Sequence, residues 1–85
     1  MTHIKDNYYL DADERQFILK EHKGENKEGE QLYSTLGYFR YPQEALETMV
    51  NNYIRKDIKK GAELKEIADR MKELKQFFTD KFNQI

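Results

Sequence analysis

The spacing of apolar residues changes once along this chain, at Pro42. Upstream, apolar side chains come in short runs that alternate with polar ones. Downstream, they recur every three or four residues. Residues 7–10 carry Tyr8, Tyr9 and Leu10 and read as a short strand. Asp11-Ala12-Asp13-Glu14 follows as a turn, because aspartate side chains bond their own backbone. Residues 15–23 read as the return strand, with Phe17, Leu19 and Glu21 on one face and Ile18, Lys20 and His22 on the other. Residues 24–29 hold no apolar side chain and are bounded by Gly24 and Gly29, the pattern of a mobile polar loop. Residues 31–40 form the third strand, where Leu32, Ser34, Leu36 and Tyr38 alternate with Tyr33, Thr35, Gly37 and Phe39. Gly37 marks a bulge or a close backbone approach. Residues 1–6 read as a loose leader.

Pro42 sets φ near a helical value and lacks the N–H that a first helical turn does not need, so it opens a helix. Tyr41, held extended by the proline after it, closes the strand. The first helix runs from 42 to about 60 and groups Ala45, Leu46, Met49, Val50 and Tyr53 on one face. Ile54 and Ile58 stand on its shoulder. Gly61 is placed to cap it. The second helix runs from about 63 to 82, with Leu64, Ile67, Met71, Leu74 and Phe78 in line and Ala68, Phe77 and Phe82 beside them. The expected fold is α+β: a three-stranded antiparallel sheet followed by two helices packed on one face, in the order βββαα. It fills one domain over 1–85, with the leader at 1–6, the sheet at 7–41 and a helical hairpin at 42–85. Its expected core holds Phe17, Leu19, Leu36, Phe39, Leu46, Met49, Val50, Tyr53, Ile67, Met71 and Leu74.

Composition narrows the functional classes. Charged residues make up 36% of the chain, yet the net charge is −1. Residues 1–41 hold six basic and eight acidic groups, and residues 42–85 hold nine and eight. Neither half has the excess that phosphate contacts demand. No apolar run is long enough to span a bilayer, so no membrane partner is expected. The first residues lack the apolar core of a signal peptide. Cysteine is absent, which excludes disulfides and thiol chemistry and fits a cytoplasmic location.

Candidate chemistry is sparse. His3 and His22 have no second ligand at metal-site spacing, and Ser34, the one serine, lacks a nucleophile-elbow context. The pairs Asp11/Asp13, Glu44/Glu47, Glu63/Glu66 and Asp69/Glu73 each lie on a single turn or helix, not across a cleft. No catalytic residue, metal or cofactor is expected, and the chain reads as a non-enzyme. Two surfaces remain. Arg55, Lys56, Lys59 and Lys60 cluster at the end of the first helix, where they answer its dipole or contact nucleic acid. Six tyrosines stand in 85 residues. Of these, Tyr8, Tyr9, Tyr33 and Tyr38 lie on predicted strands and read as a protein-binding face. Phe77 and Phe82, at the end of the second helix, extend the candidate contact set and offer a homodimer surface.

The segment Tyr8-Tyr9-Leu10-Asp11-Ala12-Asp13-Glu14-Arg15-Gln16-Phe17-Ile18-Leu19, then Leu36-Gly37-Tyr38-Phe39 followed by Glu44-Ala45-Leu46, resembles a group of small phage and prophage accessory proteins of Gram-positive bacteria. The resemblance covers most of residues 8–78. It implies an accessory role in the host cytoplasm and carries over no functional residue. The expected function is therefore a small protein-binding module that binds or inhibits a host or phage protein, such as a host defence complex. The alternative is a nucleic-acid-binding accessory protein that uses the basic end of the first helix.

Overall fold

A computed structural model describes residues 1–83, with side chains described as far as Lys81. The chain is α+β, with an antiparallel sheet followed by two helices. The sheet has four strands rather than three: β1 (Thr2–Lys5), β2 (Tyr8–Ala12), β3 (Phe17–Glu25) and β4 (Gln31–Phe39). They lie side by side in chain order, each antiparallel to the next. The helices are α1 (Pro42–Lys59) and α2 (Leu64–Asn83).

The expected loose leader is in fact β1. It folds back on β2, placing Thr2 opposite Leu10 and His3 opposite Tyr9. The reversal is made at Asp6, whose φ of 50° lies in the left-handed region that aspartate and asparagine tolerate better than most residues.

Register decides the faces, because paired residues point the same way. Tyr9 pairs with Lys20 and Asp11 with Ile18. Lys20 pairs in turn with Thr35, His22 with Tyr33 and Ile18 with Tyr38. These residues share one face. Tyr8, Leu10, Phe17, Leu19, Glu21 and Phe39 point to the other. Strict alternation would set Tyr38 opposite in sense to Tyr33. Instead Leu19 faces Gly37 while Lys20 faces Thr35, so Leu36 is an extra residue in β4. That bulge turns Tyr38 to the same side as Tyr33. At Gly37 a Cβ would lie 2.6 Å from the Phe39 ring, so the close approach is real and any side chain there must displace that ring.

The chain divides into two compact units, Met1–Met49 and Val50–Ile85, so the boundary falls within α1. In the first unit Tyr8, Leu19, Ala45 and Met49 are buried. Glu21 is buried beside them, and the Lys23 ammonium pairs with its carboxylate. In the second unit α1 ends in a Schellman motif. The Gly61 N–H donates to the Ile58 carbonyl at 2.9 Å and the Ala62 N–H to the Asp57 carbonyl at 3.0 Å, with Gly61 at φ 86°.

The inward stripe of α2 departs from the expected one at Leu64 and Met71. Ile67, Leu74 and Phe78 of the expected line are covered, and Arg70 and Phe77 are covered beside them, whereas Met71 is 53% exposed and Leu64 is more so. Arg70 accounts for the offset. Its Nε donates to Asp57 Oδ2 at 2.9 Å and its guanidinium lies 5.5 Å from the Tyr53 ring centroid, which turns its side of the helix inward.

Candidate functional site

The sheet presents one polar-aromatic face. Tyr9 of β2 is its centre. The Tyr9 ring stands 5.4 Å from Tyr33 at 87°, 4.9 Å from His3 and 6.5 Å from His22. His22 and Tyr33 close the group at 5.2 Å. Four rings from four strands thus touch in one patch. Tyr9 meets Tyr33 and His22 edge-on, an arrangement that aromatic rings favour, and the His3–Tyr9 and His22–Tyr33 pairs are tilted. Tyr38 continues it towards the far end of β4 and is 61% exposed.

Hydrogen bonds fix both imidazoles. His3 donates from Nε2 to the Asp6 carbonyl at 2.7 Å. Gln31 donates from Nε2 to Glu25 Oε1 at 2.8 Å, which leaves its own Oε1 to accept from His22 Nε2. Beyond the rings, Lys20 Nζ meets Asp11 Oδ2 at 3.1 Å on the same face. The Ala12 N–H and then the Lys20 ammonium hold the Asp11 carboxyl below its ordinary value. The Asp13 carboxyl is lowered too, first by the Arg15 N–H and then by the Gln16 side chain, as it closes the β2–β3 turn.

The predicted contact residues separate on this scaffold. Tyr9, Tyr33 and Tyr38 share the outer face, and of these Tyr9 and Tyr33 touch. Tyr8 does not join them: it is 2% exposed and points inward with Leu10 and Leu19, because neighbouring strand residues face opposite ways. Phe77 is half-covered, packed edge-on against Phe78 at 5.4 Å with the Lys81 ammonium 5.6 Å from its ring centre. The side chain of Phe82 lies outside the described residues. His3 and His22 join the group, which side-chain spacing along the chain does not show. The clue to His3 is Asp6-Asn7, a turn pair that returns residues 2–5 alongside β2.

Arg55, Lys56, Lys59 and Lys60 are all exposed on the last turns of α1 and the residue after it. The groove next to them is lined by Asp57, Glu66, Asp69 and Glu73 against Lys60 and Arg70. Four carboxylates against two cations do not favour phosphate there. The Arg70 guanidinium, by hydrogen bond and charge, holds the Asp57 carboxyl below its ordinary value.

Ser34 stands half-buried on β4, in register with Glu21. Among the described residues no three His, Asp or Glu side chains are grouped to hold a metal ion. No helix among them is long and apolar enough to cross a membrane.

No curated protein and no solved structure matches the chain. One family, described as Domain of unknown function (DUF5405), matches residues 2–85. A match over nearly the whole length shows that the chain belongs to the DUF5405 family.

Proposed function

We propose that this chain is a small non-enzymatic protein-binding module, and that the outer sheet face is its contact surface. The observation that supports this reading is the joined patch of His3, Tyr9, His22 and Tyr33, continued by exposed Tyr38. Tyrosine offers a partner large rigid area and a polar tip at small entropic cost, which is why it dominates interface hot spots. A standard interface takes about 800 Å² from each partner. That is roughly an eighth of the 6600 Å² this chain exposes. In its most concrete form the proposal is a phage accessory protein that occupies a surface of a host protein or defence complex in the cytoplasm. This form rests on the resemblance described above.

Replacing Tyr9, Tyr33 and Tyr38 singly by alanine tests the surface. Hot-spot losses of about 2 kcal/mol, or roughly thirtyfold in Kd, are expected for at least one of them, with the thermal melt retained. Affinity unchanged in all three would overturn the assignment.

The second reading, nucleic-acid binding, draws on the four exposed cations at the end of α1. Four phosphate contacts would make log K fall with log salt at a slope of about −3 to −4. Binding to DNA or RNA with that slope, lost when Arg55, Lys56, Lys59 and Lys60 are neutralised, would favour it over the tyrosine face.

A further inference from the structure

We propose that β4 pairs with β4 of a second copy of this chain, antiparallel about a two-fold axis at Thr35, so that two four-stranded sheets become one continuous sheet.

β4 is an edge strand. It pairs with β3 on one side, and no further strand among the described residues lies on the other. Nine residues long, it presents a row of backbone donors and acceptors. Proteins that remain single blunt such an edge with short length, charge, proline or a bulge. The opposite edge, β1, is only four residues and carries Lys5 and His3. β4 is long and has neither charge nor proline, and its one irregularity is the bulge at Leu36. Its sequence, QLYSTLGYF, is the longest uncharged run in a chain that is 36% charged, and it contains no proline. Its exposed side chains include Leu32 at 44%, Tyr33 at 37% and Tyr38 at 61%.

The bulge at Leu36 determines which occupant fits. The extra residue belongs to β4, so a strand added on the open side meets the same irregularity. With Thr35 on the axis and Leu36 skipped, Tyr33 falls opposite Tyr38 of the second copy, and Leu32 opposite its Phe39. Both pairs are face-matched: Tyr33 and Tyr38 lie on the outer face, Leu32 and Phe39 on the inner one. The symmetry gives each pair twice, adding two Tyr–Tyr contacts, two Leu–Phe contacts and a central Thr–Thr contact with no charge opposed to a like charge. Pairs of these kinds contribute about 0.2–1 kcal/mol each. The strand is complementary to itself, which points to a second copy rather than a foreign segment.

The chain has no cysteine, so Thr35→Cys introduces a lone thiol. On the axis it would meet its own copy with Cα atoms about 4.5–5.5 Å apart, within disulfide reach. Light scattering of the unmodified protein should give twice 10.3 kDa. Thr35→Cys should oxidise to a covalent dimer at least about tenfold faster than Lys27→Cys, placed in the β3–β4 loop. Thr35→Lys, which sets two ammonium groups face to face, should return the mass to one chain with the circular dichroism unchanged. If Thr35→Lys fails to fold, the two cysteine rates decide. A single-chain mass up to near-millimolar concentration overturns the proposal and leaves the edge to a foreign strand. A dimer whose Thr35→Cys rate does not exceed that of Lys27→Cys also overturns it, and moves the contact to another surface such as exposed Leu64 and Met71. These readouts are masses and rates, not partner capture, so they stand apart from the role of the aromatic face.

Discussion

Gly37 shows how much a single position can hold. Its missing Cβ leaves room for the Phe39 ring, which would otherwise stand 2.6 Å away, and the β4 bulge lies beside it. Gly37→Ala must push that ring from its rotamer or straighten the bulge, so a loss of about 1–3 kcal/mol is expected in denaturant melts. Asp57 is the second such residue. An acid in the last turn of a helix opposes the dipole, and here the Arg70 guanidinium answers it. The carboxyl is held below its ordinary value of 3.8, as are those of Asp11 and Asp13. A depressed carboxyl means that the folded state binds fewer protons than the unfolded chain as pH falls past the ordinary value. The contribution is therefore complete above that range and is lost as pH falls through the folded value. Thermal melts should be flat near neutrality and drop in the acid range below about pH 4. Asp57→Asn should lower the neutral melting temperature and remove part of the acid slope. A slope unchanged in Asp57→Asn would contradict the assignment.

At the scale of elements, the sequence is most legible where one residue has one conformational meaning. Pro42 opens α1 and Gly61 closes it, at φ 86°. Alanine at Gly61 must adopt the same left-handed backbone, at a cost of about 1–2 kcal/mol, measurable as a lower unfolding midpoint. Legibility fails where context decides. Thr2–Lys5 is too short and polar to read as a strand, and becomes one because Asp6 turns it back onto Tyr8–Ala12. The bulge at Leu36 is invisible to alternation, since nothing in a period of two shows where an extra residue enters. Without it Tyr38 is assigned to the wrong face. On α2 the pattern is right at Ile67, Leu74 and Phe78 and fails at Met71, because Arg70 counts as polar in any pattern, yet its pairing with Asp57 turns it inward and leaves Met71 outside. The candidate site was legible in kind, as a tyrosine face. Its membership was not, because Tyr8 and Tyr9 point opposite ways and only register says which is outside.

For the whole molecule, two compact units share an 85-residue chain, so each rests on few buried side chains. Leu19 is fully buried in the first. Leu19→Ala should cost about 2–5 kcal/mol, enough to unfold much of a domain this small at physiological temperature. The outer face is different in kind. Its rings touch one another and solvent, so truncating them should cost binding more than stability. Tagged capture from nuclease-treated bacterial lysate tests this directly. The unmodified chain is compared with Tyr9→Ala/Tyr33→Ala/Tyr38→Ala, and bound proteins are identified by mass. One stoichiometric protein retained by the unmodified chain and lost by the folded triple variant is the expected result. Equal capture by the two, or capture that vanishes with nuclease, would contradict the account.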